Sequence, residues 1–338
     1  MDNEVFDITI IGGGPVGLFA AFYAGMRGMK TKIIDSLDEL GGQLTTLYPE
    51  KFVYDVPGFP RVLARDLARS LIEQAMQYAP TVRLGEVVQT LERDESRDCW
   101  VIHSDLAGHW TRTIVISAGA GAFSPRKLAL PGAEKFEHRG VYYGVKAKSV
   151  FAGKRVLVIG GGDSAIDWSM NLLDTAQTIT LVHRRNQFRA AEHNVRKLQA
   201  TGIEILTFCE LKELVVGTDG ELAGAVIIDT RTQAVRTLEV DAILAQIGFV
   251  SSLGAIKNWP IKLERAAIAV NSHMETTCPG VYAAGDVAAY DGKLKLIATG
   301  FGEGAVAVNY AKNRIDPKAK VFPGHSSELS GEQPNVTV

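Results

Sequence analysis

The stretch "FDITIIGGGPVGLFAA", residues 6–21, decides the fold. Its apolar run to Ile11 predicts a buried strand, its glycines a tight turn, and the segment from Pro15 a helix. Gly12, Gly14 and Gly17 satisfy G-x-G-x-x-G between that strand and helix. The first glycine of such a loop permits the turn, the second lets backbone approach a pyrophosphate, and the third allows close helix packing. The helix N-terminus then faces the phosphate charge. The next apolar run, "TKIID" (31–35), ends in Asp35, 23 positions beyond Gly12, where a carboxylate can accept the ribose hydroxyls of an adenosine. This β-α-β opening predicts a parallel sheet covered by helices.

The same order returns in "RVLVIGGGDSAIDW" (155–168), with Gly160, Gly162 and Ala165 at the three glycine places. Here the following strand runs into "HRRNQFRA" (183–190) and offers no carboxylate. Arg184 stands 24 positions beyond Gly160, where a guanidinium neutralises a 2′-phosphate instead of accepting a 2′-OH. Arg185 and Arg189 add charge, and the bland alternative is a solvated basic turn. Two such loops mean two copies of one job, a working loop beside a relic, or two nucleotides that exchange something. The difference between Asp35 and Arg184 favours the last, with only the second loop selecting NADP.

At 338 residues the chain is long enough for two domains, and 46% hydrophobic with 22% charged residues is ordinary for a globular protein. A net charge of −2 argues against bulk attraction to nucleic acid or membrane. The start, "MDNEVFDITII", lacks a basic, apolar leader, and no run approaches the roughly 18–20 apolar residues that span a bilayer. Cys99, Cys209 and Cys278 are odd in number, far apart and without C-x-x-C, so a reducing cytoplasm is expected. Neither H-E-x-x-H nor a Cys/His cluster suggests a metal.

Further strands are expected in "TIVISAGA" (113–120), "TITLVHRR" (178–185), "VDAILAQIGF" (240–249) and "GVYAAGDVAAY" (280–290). The expected architecture is α/β: two Rossmann-like dinucleotide-binding domains, the first discontinuous. It comprises residues 1–118 and 247–338, with a polar tail from about 314, and the second domain is 119–246.

The whole chain resembles the two-dinucleotide-binding flavoprotein disulfide reductases of thioredoxin-reductase size. The resemblance lies in GGGPVG (12–17), GGQL (41–44), GGGDSA (160–165), HRR (183–185) and YAAGD (282–286), in this order. It implies FAD at the first loop, with Pro15, Gln43, Val88, Phe123, Asp286, Thr299 and Ser326 beside the flavin nucleotide. It implies NADP(H) at the second loop, with Asp163 and Ser164 joining the residues already named. A hinge near 117–119 and Gly248 is implied by the domain rotation of those relatives.

Thioredoxin reductases carry C-x-x-C just before the second loop, whereas Gly144 and Ala147 stand near those places here. Without the thiols there is no disulfide exchange. "GGQLTTLYPEKFVYDVPGFP" (41–60) and "FPGHSSEL" (322–329) instead resemble the thioredoxin-reductase-like ferredoxin–NADP+ reductases. That resemblance implies a homodimer in which Tyr48 stacks on one flavin face and His325, from the other subunit, on the second. Hydride would pass between nicotinamide and flavin N5, and single electrons between flavin and ferredoxin, with no acid–base residue. Arg61, Arg65 and Arg69, at i, i+4 and i+8, are expected on one helix face as a docking stripe for an acidic ferredoxin. Another acceptor (flavodoxin, a quinone) is the alternative, and a non-catalytic flavin-binding sensor a further one.

Overall fold

A computed structural model of the chain describes residues 4–119 and 121–325. It divides into two units, residues up to 123 with those from 251, and residues 124–250. In the first, β1 (Val5–Ile11), α1 (Pro15–Met26) and β2 (Thr31–Ile34) form the β-α-β start. Helix α2 (Ala64–Met76) leads to β3 (Thr81–Arg83), and β4 (Val88–Asp94), β5 (Cys99–Ser104) and β6 (Gly108–Ile116) follow as an antiparallel meander. The sheet runs β3-β2-β1-β6-β5-β4, with β1 parallel to both β2 and β6. Strand alternation gives it two cores. Ile8 and Ile10 face the helices with Leu18 and Leu67, while Ile11 and Ile116 face the opposite layer with Trp100 and Trp259.

The second unit repeats the pattern. Its sheet contains β7 (Val141–Tyr142), β8 (Arg155–Ile159), β9 (Thr178–His183), β10 (Glu204–Thr207) and, later in the chain, a strand at Ala242–Ala245. Helices α3 (Asp163–Asn171) and α4 (Glu192–Gln199) belong to its β-α-β steps. The last crossover is not a helix but a three-stranded meander, β11 (Cys209–Val216), β12 (Leu222–Asp229) and β13 (Val235–Glu239), followed by the Ala242–Ala245 strand as β14. The five-stranded sheet is parallel throughout, in the order β7-β14-β8-β9-β10. Val156 and Val158 point to the helices, and Leu157 and Ile159 to the core shared with Ala225 and Ile227 of the meander.

The strand expected over 240–249 is shorter: β14 stops at Ala245, and a separate strand begins at Phe249. Gly248 between them has φ +98°. The chain then returns to the first unit. There β15 (Val281–Ala283) pairs in parallel with Ile114–Ile116, the part of β6 beyond its pairing with β5, and makes that sheet seven-stranded. Helix α5 (Ile297–Ile315) packs on the same side as α1. Among the described residues, no helix is long and apolar enough to cross a membrane.

Candidate functional site

The glycine turn of the first unit is fixed by space as much as by conformation. Gly12 has φ +105°, and a Cβ there would meet the Ser117 carbonyl oxygen at 2.5 Å. Gly17 is the third residue of α1, where a Cβ would sit 1.8 Å from the Gly12 carbonyl oxygen. Helix and strand therefore touch backbone to backbone. Asp35 follows β2 and is buried, and its carboxylate accepts the N–H groups of Gly13 at 2.5 Å and Leu37 at 2.9 Å. Burial raises its pKa, and those N–H donors act in the opposite sense.

These residues border a cavity of about 650 Å³ within this unit. Gly12, Gly14, Pro15 and Asp35 line it together with Gln43, Tyr48, Val88 and Asp286, which come from four further places in the chain. The size is that of a cofactor site. Tyr48 is half-buried, and its phenol is pushed up to about 12, first by burial and then by the charges of Asp286 and Asp55. It stays neutral at ordinary pH.

Not every expected residue lines this cavity. Gly17 acts behind it, through packing. Thr299 lies in the first turn of α5, beyond Leu296 and Ile297, which do border the space. His325 is exposed, its ring edge-on to Phe322 at 5.5 Å, and it is not among the lining residues. The Phe123 side chain and Ser326 fall outside the described residues. Glu86, Ser117 and Lys295 also line the cavity, although no motif marks them. Their signal was positional only: Glu86 stands shortly before β4, Ser117 directly after β6 and Lys295 shortly before α5.

In the second unit, Gly160 has φ +150°, and a Cβ there would strike the Gln246 carbonyl oxygen at 2.3 Å. A Cβ on Gly162 would meet nothing within 4 Å, which leaves open space where α3 begins. Ala165 is fully buried in the core, matching its close-packing role. The arginine segment is tied back to this turn: the Arg189 N–H donates to the Gly161 carbonyl at 2.7 Å, and the Ala191 N–H to Asp163 Oδ1 at 2.9 Å. The His183 ring lies where a Gly161 side chain would be and stacks on Phe188. Ser164 is the second residue of α3. Arg184, Arg185 and Arg189 are exposed and carry no ion pair with a described carboxylate, so their charge is available to an anion.

The arginine stripe is shorter than the spacing suggested. Residues 62–63 pair as a strand with Phe52–Val53, so α2 starts only at Ala64 and Arg61 lies outside it. The Arg61 guanidinium covers the Phe52 ring at 4.9 Å, Arg65 pairs with Glu50 at 3.4 Å, and Arg69 pairs with Asp66. All three cysteines are free, and burial raises each thiol pKa. None lines the cavity, which therefore offers no reactive thiolate.

A model of the pyridine nucleotide-disulphide oxidoreductase family matches residues 6–304. The chain is 52% identical over 327 residues to ferredoxin–NADP reductase 2 of Shouchella clausii, covering 97% of this chain and 98% of that protein. It is also 52% identical over 328 residues to the ferredoxin–NADP reductase of Halalkalibacterium halodurans, with the same coverage. Among solved structures, the thioredoxin reductase of Lactococcus lactis matches with a TM-score of 0.76 at 28% identity, over 90% of this chain and 97% of that one. The thioredoxin reductase of T. acidophilum gives 0.78 at 25% identity, over 92% and 99%. With a thioredoxin-reductase-like fold, two nucleotide loops of opposite charge preference and no redox dithiol, the chain belongs to the pyridine nucleotide-disulphide oxidoreductase family, among its ferredoxin–NADP reductases.

Proposed function

We propose that this chain carries electrons between NADP(H) and a ferredoxin by way of bound FAD. The observation that carries the reading is its full-length likeness, at about half identity, to ferredoxin–NADP reductases. The chemistry of the two sites agrees with it. Asp35, already holding two backbone N–H groups, has carboxylate lone pairs left for ribose hydroxyls. The N-terminus of α1, opened by Gly14 and Pro15, faces the place of the pyrophosphate. Tyr48 presents a neutral phenol ring to the cavity for stacking, and Asp286 and Gln43 offer polar contacts. At the second site, Arg184, Arg185 and Arg189 take the 2′-phosphate, while Gly162 leaves room for the diphosphate at the start of α3.

FAD, when bound, converts between the hydride of NADPH and the one-electron steps of an iron–sulfur protein. The chain's own part is binding, orientation and electrostatics. We further assign a homodimer in which the tail bearing His325 covers the cavity of the other subunit; the exposed position of His325 outside its own cavity supports this reading. The unpaired cysteines support a reducing, cytoplasmic setting.

The test is spectroscopic. Under nitrogen, NADPH should bleach the flavin absorbance of the FAD-loaded protein, and added ferredoxin should then support cytochrome c reduction. Bleaching with no ferredoxin dependence, across several ferredoxins, would move the acceptor to flavodoxin or a quinone. Absence of bleaching would overturn the enzyme reading.

A further inference from the structure

Helix α5 carries a buried carboxylate inside the stretch "LIATGFGEGA" (296–305). Glu303 is 5% exposed, on the face of α5 that also buries Gly300, Gly304 and Ala307. Its Oε2 accepts the Gly285 N–H at 2.7 Å. Its Oε1 accepts the Tyr290 hydroxyl and the Lys293 ammonium, both at 2.5 Å. The Lys293 side chain is only 7% exposed, so this is a buried ion pair. One carboxylate thus ties together α5, the 290–293 segment and the turn that follows β15.

That turn is held from a second side. Gly285 has φ +81°, and a Cβ there would lie 3.2 Å from Cγ2 of Val16 in α1. The same Val16 methyl fills the space a Gly300 side chain would need, at 2.4 Å. The residue after Gly285 is Asp286, which lines the cavity and whose charge reaches Tyr48. Burying a Lys–Glu pair recovers little net stability, because both ions lose their hydration. Its effect here is geometric: it fixes the direction of the Gly285 N–H and, through it, of Asp286.

We propose that Glu303, clamped by Lys293 and Tyr290, is a positioning residue for FAD, holding the Gly285–Asp286 turn so that Asp286 meets the cofactor. The proposal rests on the reading of this cavity as the FAD site. Its test is FAD rebinding to the stripped full-length protein, followed by quenching of flavin fluorescence, beside the Tm of the same apoprotein.

Glu303→Gln strands the buried Lys293 ammonium without its counter-charge, which is expected to loosen the turn and weaken FAD binding about 30-fold. Tyr290→Phe should weaken it about threefold with little change in apoprotein Tm. The double variant Lys293→Met/Glu303→Gln removes both charges and keeps an acceptor for Gly285, so it should regain most of the loss. Unchanged FAD affinity in Glu303→Gln overturns the proposal, as does a double variant that binds no better than the single one. If Glu303→Gln does not fold, native FAD affinity in Tyr290→Phe overturns it equally. Failure of the native protein to bind FAD would instead overturn the cofactor reading, before any variant is compared.

Discussion

Gly17 and Arg184 show how much one residue can carry at each site. At Gly17 a single methyl would sit 1.8 Å from the Gly12 carbonyl oxygen. Gly17→Ala must therefore push α1 off β1 and distort the loop, at a cost of about 1–3 kcal/mol. The expected outcome is a lower Tm and a protein purified with little flavin, read from the ratio of 450 nm to 280 nm absorbance. Arg184 is exposed and has no described carboxylate partner, so its removal leaves the fold alone. Arg184→Ala should raise the KM for NADPH about tenfold, the scale of one charge-assisted contact, and leave the KM for NADH unchanged. An equal rise for both nucleotides would show that the side chain does not read the 2′-phosphate.

At the scale of elements, the second unit is tied at the base of its sheet by one pair. Arg155 opens β8, and Asp241 immediately precedes β14. The guanidinium donates from Nε at 3.0 Å and from Nη2 at 2.6 Å to the two Asp241 oxygens, and the Arg155 N–H donates to Oδ2 at 2.9 Å. This bidentate contact fastens the two central strands that carry the Gly160 loop and Gln246. The hydrogen bond from Arg155 holds the Asp241 pKa below its usual 3.8. A depressed carboxylate pKa gives stability that is present above 3.8 and is lost as pH falls through the depressed value. Because the pair is about one-third exposed, solvent screening limits its worth to about 1 kcal/mol. Urea denaturation should find Asp241→Asn weaker than native by that amount at pH 7, with the difference narrowing as pH falls below 3.8.

For the whole molecule, the proposed homodimer is tested by asking where the tail goes. The start of the tail is held by its own chain: Arg27, directly after α1, donates to the carbonyls of Lys320 at 2.7 Å and Val321 at 3.1 Å. His325 follows only four residues later, exposed and not among the residues that line the cavity of its own chain. If the second subunit's cavity receives it, a chain lacking residues 322–338 and an Arg184→Ala/Arg185→Ala chain should complement one another. Each alone should be poor in NADPH–ferredoxin turnover. Mixed dimers should regain up to about half of native activity per dimer, because the truncated subunit keeps its NADP loop and receives an intact tail. No recovery in dimers shown to be mixed would place the tail on its own subunit.

What the sequence by itself determined was local. Both strand–glycine–helix turns, Asp35 at the end of β2 and the arginines after β9 were legible, because a tight turn, a helix start and a terminal charge are set by neighbours along the chain. The absence of a dithiol was equally plain. What only the tertiary structure decided depends on segments far apart meeting. The expected arginine stripe lost Arg61 because residues 62–63 pair with Phe52–Val53, a contact that helical spacing cannot reveal. The crossover before β14 was a meander and not a helix because its alternating residues cover the open sheet face around Leu157. Lys295 and the buried Glu303 gained their places only when the returning chain laid β15 against β6 and α5 beside α1, since burial and partners belong to the packed molecule and not to any one stretch of it.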